Sequence, residues 1–99
     1  MCTSIVEIVA AEGAAKNGDR WFGVNKAVVA YDHPRHALLD DGIAIDFLND
    51  AAGPAARAAV ELTLESAKAL RDALTRAIAE AEIEEGARSS DADPKARAA

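Results

Sequence analysis

The hydrophobic period of this 99-residue chain changes once, near Leu64. Before that point, apolar residues alternate with polar or small residues in short runs, which is the pattern of half-buried β-strands. After it, apolar residues recur three and four positions apart, which predicts an amphipathic helix. A chain of this length usually makes one domain. The change of period therefore predicts an α+β domain in which the strands precede one long helix.

Four segments carry the strand pattern: residues 4–10, 21–31, 43–48 and part of 55–64. The connections at 11–20 and 32–41 contain Gly, Asn, Asp and Pro, which favour turns and loops. The fourth strand is ambiguous, because its alanines are also compatible with an early start of the helix. Sequential strands tend to pair as neighbours. We therefore expect an antiparallel three- to four-stranded meander with one long C-terminal helix packed on one face.

The predicted helix begins between Thr63 and Ser66. Threonine is a good N-cap residue, and an acidic residue in the first turn, here Glu65, is favoured by the helix dipole. The apolar stripe of the helix consists of Ala67, Leu70, Leu74, Ala77, Ile78 and Ala81. We expect the helix to end before Gly86. Residues 1–85 would then form the single domain, and residues 86–99, which have no large apolar side chain, a disordered tail.

The composition excludes several classes of partner. The chain has 17 acidic and 11 basic residues and a formal charge of −6, so it lacks the basic patch on which nucleic-acid binding depends. No apolar run approaches the ~20 residues of a membrane helix, and the first residues do not resemble a secretory signal. The single cysteine cannot form an internal disulfide. We expect a cytoplasmic protein that binds neither nucleic acid nor membranes.

Large side chains for a core are scarce, because much of the apolar content is alanine and only four residues are aromatic. A small domain also buries a smaller share of its surface than a large one. Both faces of the segment 21–31 are mostly apolar, although one helix can cover only one face of a sheet. We therefore expect a homo-oligomer, most simply a homodimer, joined through the sheet face that the helix does not cover.

Residues 32–36 read Asp-His-Pro-Arg-His. The proline suits the second position of a type I turn, which would bring the Cα atoms of His33 and His36 within ~7 Å. Two imidazoles at that separation can share a divalent transition metal such as zinc, with a carboxylate of Asp32, Asp40 or Asp41 or the Cys2 thiolate completing the site. Hairpin pairing of the first two strands would place Cys2 near this loop. A solvated loop has the same composition, since a single His-x-x-His is a weak motif.

Four residues are candidates for catalysis. His33 and His36 can act as acid or base near neutral pH. Cys2 is a potential nucleophile, and removal of Met1 would add an α-amine beside its thiol, although free cysteine is often a small buried apolar residue. Asp46 is a solvated carboxylate, or an acid/base group if a partner covers it.

These residues leave two functions open. One is a polar pocket of Cys, His and Asp that binds a metal or a small polar ligand, with or without catalysis. The other is a non-enzymatic protein–protein interaction module that uses the open sheet face. Whether the protein is an enzyme does not follow from the sequence.

Four segments carry a resemblance: the opening Met-Cys-Thr-Ser-Ile-Val, the Asp-His-Pro-Arg-His-Ala at 32–37, the Ile-Asp-Phe at 45–47 and the Val-Glu-Leu-Thr at 60–63. Together they resemble a small family of uncharacterised proteins of high-GC actinobacteria, over about residues 1–82. The resemblance implies that these segments belong to one unit. It implies no activity, cofactor or partner.

Overall fold

The computed structural model of the chain describes residues 5–34, 37 and 40–91. Over these residues it contains four strands followed by one helix, namely β1 (Val6–Asn17), β2 (Arg20–Asp32), β3 (Gly42–Leu48), β4 (Arg57–Leu62) and α1 (Leu64–Asp91). The strands pair in the order β1-β2-β3-β4, and each neighbouring pair is antiparallel. The predicted α+β meander with a long C-terminal helix is confirmed.

The first strand is much longer than predicted, because β1 continues to Asn17 through the segment that we expected to be a connection. A register shift between Ala10 and Gly13 places an extra residue in β1, as in a β-bulge. Gly18 then has a φ of 63° at the first position of a two-residue hairpin loop, as a type II′ turn requires. Residues 11–17 are mostly small or polar and do not alternate, so the sequence does not indicate a strand there. Their pairing with β2 shows that they are part of β1.

The ambiguous fourth segment is a strand, since Arg57–Leu62 pairs with β3 along its whole length. The helix begins at Leu64, as predicted. Thr63 is its N-cap, because the Thr63 Oγ1 accepts a hydrogen bond of 3.0 Å from the backbone N–H of Ser66.

The predicted end of the helix at Gly86 is wrong. Helix α1 continues through Gly86 to Asp91, and Gly86 does not have the positive φ of a C-capping glycine. A glycine inside a helix costs only about 1 kcal/mol relative to alanine, which neighbours such as Glu84, Glu85 and Arg88 can offset. Of the predicted disordered tail, residues 92–99 lie outside the described residues.

The strand register gives the sheet two faces of different composition. We call one the apolar face; its three rows are Val9-Ala27-Phe47-Ala58, Glu7-Val29-Ile45-Val60 and Tyr31-Ile43-Leu62. We call the other the polar face; its three rows are Ala10-Lys26-Leu48-Arg57, Ile8-Val28-Asp46-Ala59 and Val6-Ala30-Ala44-Glu61. Each inner strand thus has apolar residues on both faces, but the charged side chains of β2, β3 and β4 in these rows all lie on the polar face.

The chain divides into two compact units, residues 1–67 and residues 68–99. In the described part of the chain, the buried apolar side chains are those of Val24, Ala27 and Ala56. Twelve larger apolar side chains there are more than a third exposed, so the core is as small as the composition indicated. The single domain over residues 1–85 and the packing of the helix across one sheet face stay predictions.

Candidate functional site

The connection between β2 and β3 folds back on itself around His33. The backbone N–H of His33 donates a 2.8 Å hydrogen bond to the Asp32 Oδ1, and the His33 Nδ1 donates to the carbonyl oxygen of Asp40. The same ring nitrogen lies 3.4 Å from the Asp41 Oδ1. A carbonyl only accepts, so Nδ1 carries the hydrogen, and in the neutral ring Nε2 keeps its lone pair. The exposed imidazole therefore has one fixed nitrogen and one that can accept a proton or bind a ligand.

The same connection is anchored to the far edge of the sheet. The backbone N–H of Ala37 donates a 2.9 Å hydrogen bond to the Glu61 Oε1, and this bond is partly buried. Glu61 lies on the polar face of β4, opposite Ala44 of β3. The sequence showed Glu61 only as a polar position in an alternating strand, because its partner lies 24 residues away.

Two of the predicted metal ligands, Cys2 and His36, lie outside the described residues. The pairing on which their predicted meeting depends is present, since Val6 pairs with Ala30 and the Ile5 carbonyl accepts from the Tyr31 N–H. The start of β1 therefore lies beside the end of β2, next to His33. Within the described ranges, no group of three or more His, Cys, Asp or Glu side chains is arranged to hold a metal ion.

Asp46, the fourth catalytic candidate, is engaged in an ion pair on the polar face. The Arg57 Nε and Nη2 each donate a 3.0 Å hydrogen bond to the two Asp46 carboxylate oxygens, which is the two-pronged geometry favoured between guanidinium and carboxylate. The hydrogen bonds and charge of Asp46 raise the pKa of Arg57. The Asp46 side chain is 24% exposed. Its oxygens bind a neighbouring strand, so in this geometry the carboxylate has a structural partner.

A second polar cluster ties the β3–β4 connection to β1 and β2. The Asp50 carboxylate accepts from the Lys26 Nζ at 2.6 Å and from the Asn25 Nδ2 at 2.9 Å. These hydrogen bonds, and the charge of Lys26, hold the pKa of Asp50 below its usual value. The Asn49 Nδ2 donates to the carbonyl oxygen of Gly23 at 2.8 Å, and the Asn17 Nδ2 donates to that of Ala55 at 2.9 Å. The composition of residues 49–54 predicted a turn, but it gave no sign of these partners.

The apolar face carries apolar side chains on all four strands of the first unit. At its centre, Val29 and Ile45 face each other across β2 and β3, and both are partly exposed. The exposed fraction is higher at the edges of the sheet, with 52% at Val9 of β1 and 42% at Val60 of β4. Phe47 of β3 is 37% exposed. Contiguous apolar surface on a soluble domain marks interaction sites more often than scattered apolar residues do.

An open groove adjoins this face at Phe47. It has a volume of about 300 Å³ and is lined by residues 11–15 of β1 together with Val24 and Phe47. Most of the lining is alanine or larger apolar side chains, with Glu12 as the charged member. The groove follows from the bulge between Ala10 and Gly13, which re-aims the edge strand. Its chemistry suits an apolar side chain more than a charged substrate.

In the described part of the chain, no helix is long and apolar enough to cross a membrane. No curated protein and no solved structure matches the chain. One family model does match, over residues 1–87, which is most of the chain. The resemblance to an uncharacterised family is thereby confirmed, and the chain belongs to DUF6295, a family of unknown function.

Proposed function

We propose that this chain is a cytoplasmic protein–protein interaction module that works as a homo-oligomer, and that the apolar face of its sheet is the surface that binds. The observation that carries the proposal is the separation of charge between the two faces. In the three rows, the charged side chains of β2, β3 and β4 all lie on the polar face, and the apolar face has Glu7 on the edge strand as its charged member.

The exposure of the apolar face supports this choice over a catalytic site. Val9, Phe47 and Val60 are between 37% and 52% exposed, and their burial against a partner would be favourable at about 25 cal/mol per Å². The described polar groups, in contrast, have structural uses: Asp46 pairs with Arg57, and Asp50 pairs with Lys26.

The partner that fits best is a second copy of the chain. The small core of the first unit agrees with a domain that gains its remaining apolar burial by association. A two-fold contact brings the same patch of each copy together. A patch without charged groups on its inner strands can meet itself without like-charge repulsion, despite the formal charge of −6 on each chain.

Two lysine substitutions on adjacent residues of β4 test the proposal. Val60 lies on the apolar face and Ala59 on the polar face, and both are exposed. Val60→Lys should raise the dissociation constant of the oligomer strongly, because a lysine in the contact must be desolvated without a partner. Ala59→Lys adds the same charge to the same strand and should leave association unchanged. Sedimentation equilibrium over micromolar concentrations measures both.

Three results would contradict the proposal. A wild-type chain that stays monomeric throughout this concentration range would show that the protein is not a homo-oligomer. Equal loss of association in both variants would mean that the added charge or a folding defect, and not the position on the apolar face, weakens association. Unchanged association in Val60→Lys would leave the apolar face without a role.

The geometry around His33 favours a second candidate function, a polar site that binds a metal or a small polar ligand. The Nδ1 contact with the Asp40 carbonyl leaves Nε2 available, and a backbone carbonyl on the second nitrogen is the usual arrangement of a metal-bound imidazole. Cys2, His36 and Asp32 are the proposed further ligands, with zinc as the metal that suits this set. The same groups, with Asp46, remain the candidates for acid/base or nucleophilic chemistry.

Metal analysis of the purified full-length chain tests this second candidate. A metal site predicts stoichiometric zinc or another transition metal that is lost in His33→Ala and in Cys2→Ala. Asp19→Ala is the matched control, since Asp19 lies in the β1–β2 turn, at the opposite end of β2 from His33. Metal-free protein after purification and after incubation with zinc would exclude the site.

A further inference from the structure

Helix α1 has an apolar stripe whose larger members are exposed. Leu70 is 46% exposed, Leu74 is 56% exposed and Ile78 is 52% exposed. With Ala67, Ala77 and Ala81 they recur at the three- and four-residue spacing that forms one face of a helix. A helix of 28 residues is about 42 Å long at ~1.5 Å per residue. This length is enough for a helix pair of several turns.

We propose that the apolar stripe of α1 pairs antiparallel with α1 of a second copy instead of packing across the sheet of its own chain, which deepens the proposed homo-oligomeric function by naming a second contact. The pairing is two-fold symmetric, with the axis near the middle of the stripe between Thr75 and Arg76. In this register Leu74 lies opposite Ala77 of the other copy, and Leu70 lies opposite Ala81. Each leucine then fills the space left by an alanine.

The distribution of charge along the helix selects this direction. Residues 64–76 contain three basic and two acidic side chains, whereas residues 77–91 contain one basic and five acidic ones. In a parallel pair the two acidic halves, each with a net charge of −4, would lie side by side within the ~10 Å screening length of ordinary buffers. In the antiparallel pair each acidic half lies along the basic half of the partner.

The order of large and small residues in the stripe favours the same direction. The leucines at 70 and 74 belong to the first half, and the alanines at 77 and 81 to the second. A parallel pair would stack leucine on leucine at 70 and 74 and alanine on alanine at 77 and 81, which leaves the two alanine layers poorly filled. The antiparallel direction instead gives the layers Leu70–Ala81 and Leu74–Ala77 one large and one small member each.

The size of the sheet contact gives a reason for a second one. Four strands at ~4.8 Å spacing and six residues at ~3.3 Å rise give the apolar face a projected area of roughly 400 Å². Stable complexes bury about 800 Å² of accessible surface per partner. The helix stripe supplies additional apolar surface to the same homo-oligomer.

Disulfide trapping between two single-cysteine chains tests the direction and the register. In a Cys2→Ser background, a copy with Leu70→Cys is mixed with a differently tagged copy with Ala81→Cys and oxidised mildly. The antiparallel register predicts that mixed disulfides exceed either homotypic disulfide at least tenfold, because homotypic cysteines would be about 16 Å apart along the axis, beyond the ~7 Å Cα limit of a disulfide. Asp72→Cys with Ala79→Cys is the matched control pair, since these positions lie at equal axial height on the opposite side of the helix.

Each outcome has one meaning. Mixed disulfides at 70 and 81, without the same product from 72 and 79, support the proposal. Predominantly homotypic disulfides mean a parallel pair and overturn the direction. No disulfide above the control means that the stripe does not meet a second α1, whatever else covers it. This readout concerns α1 alone, so its failure is distinguishable from failure of the sheet contact, which the Val60→Lys and Ala59→Lys pair reports.

Discussion

Truncation of Val60 to alanine gives the proposed sheet contact a quantitative test. Full burial of a valine side chain is worth about 1.5–3 kcal/mol, and Val60 is 42% exposed. An alanine keeps one of the three side-chain carbons, and a two-fold contact loses the remaining burial from both copies. The expected loss is therefore about 1–2 kcal/mol of association free energy. It corresponds to a dissociation constant raised roughly 5- to 30-fold, at about 1.4 kcal/mol per tenfold.

The assay is sedimentation equilibrium at several concentrations, with thermal unfolding of each variant to show that the fold is retained. Val6→Ala is the matched control, because Val6 is a valine of similar exposure, 48%, on an edge strand but on the polar face of the sheet. It should change the dissociation constant less than twofold. A Val60→Ala chain that associates as the wild type does, or a Val6→Ala chain that is weakened as much, would refute the reasoning.

Four further predictions concern stability and helix content. Thr63→Ala removes the N-cap hydrogen bond to Ser66 and should cost about 1 kcal/mol in urea unfolding; an unchanged midpoint would mean that the cap contributes nothing. Gly18→Ala forces an alanine to a φ of 63° and should destabilise by about 1–2 kcal/mol, whereas Gly86→Ala within α1 should increase the helicity measured by circular dichroism. Because the pKa of Asp50 is lowered from 3.8 in the folded state, its carboxylate contributes stability above that pH, and the contribution is lost as the pH falls through the lowered pKa. Asp50→Asn should flatten this part of the acid unfolding curve, and a curve that keeps its full slope would show that Asp50 does not contribute.

Much of the candidate site could not be predicted from the sequence, because the residues that form its hydrogen bonds are far apart along the chain. Ala37 meets Glu61, and Asn25 and Lys26 meet Asp50, over separations of 24 or 25 residues. The proximity of Asp32, Asp40 and Asp41 to His33 was easier to predict, because all four residues belong to the connection that the composition of residues 32–41 indicates. Asp46 was expected to be solvated or buried by a partner, and its pairing with Arg57 follows from the register of β3 and β4.

The sequence by itself determined the element order and the start of the helix. The alternation in 21–31 and 43–48 and the N-cap at Thr63 are local signals, and they report local geometry directly. The tertiary structure alone decided that residues 11–17 extend β1 and that the charged groups of β2, β3 and β4 in the paired rows share one face. Strand pairing satisfies the backbone groups of a segment whatever its side chains are, and a shift of one residue in the register would exchange the two faces.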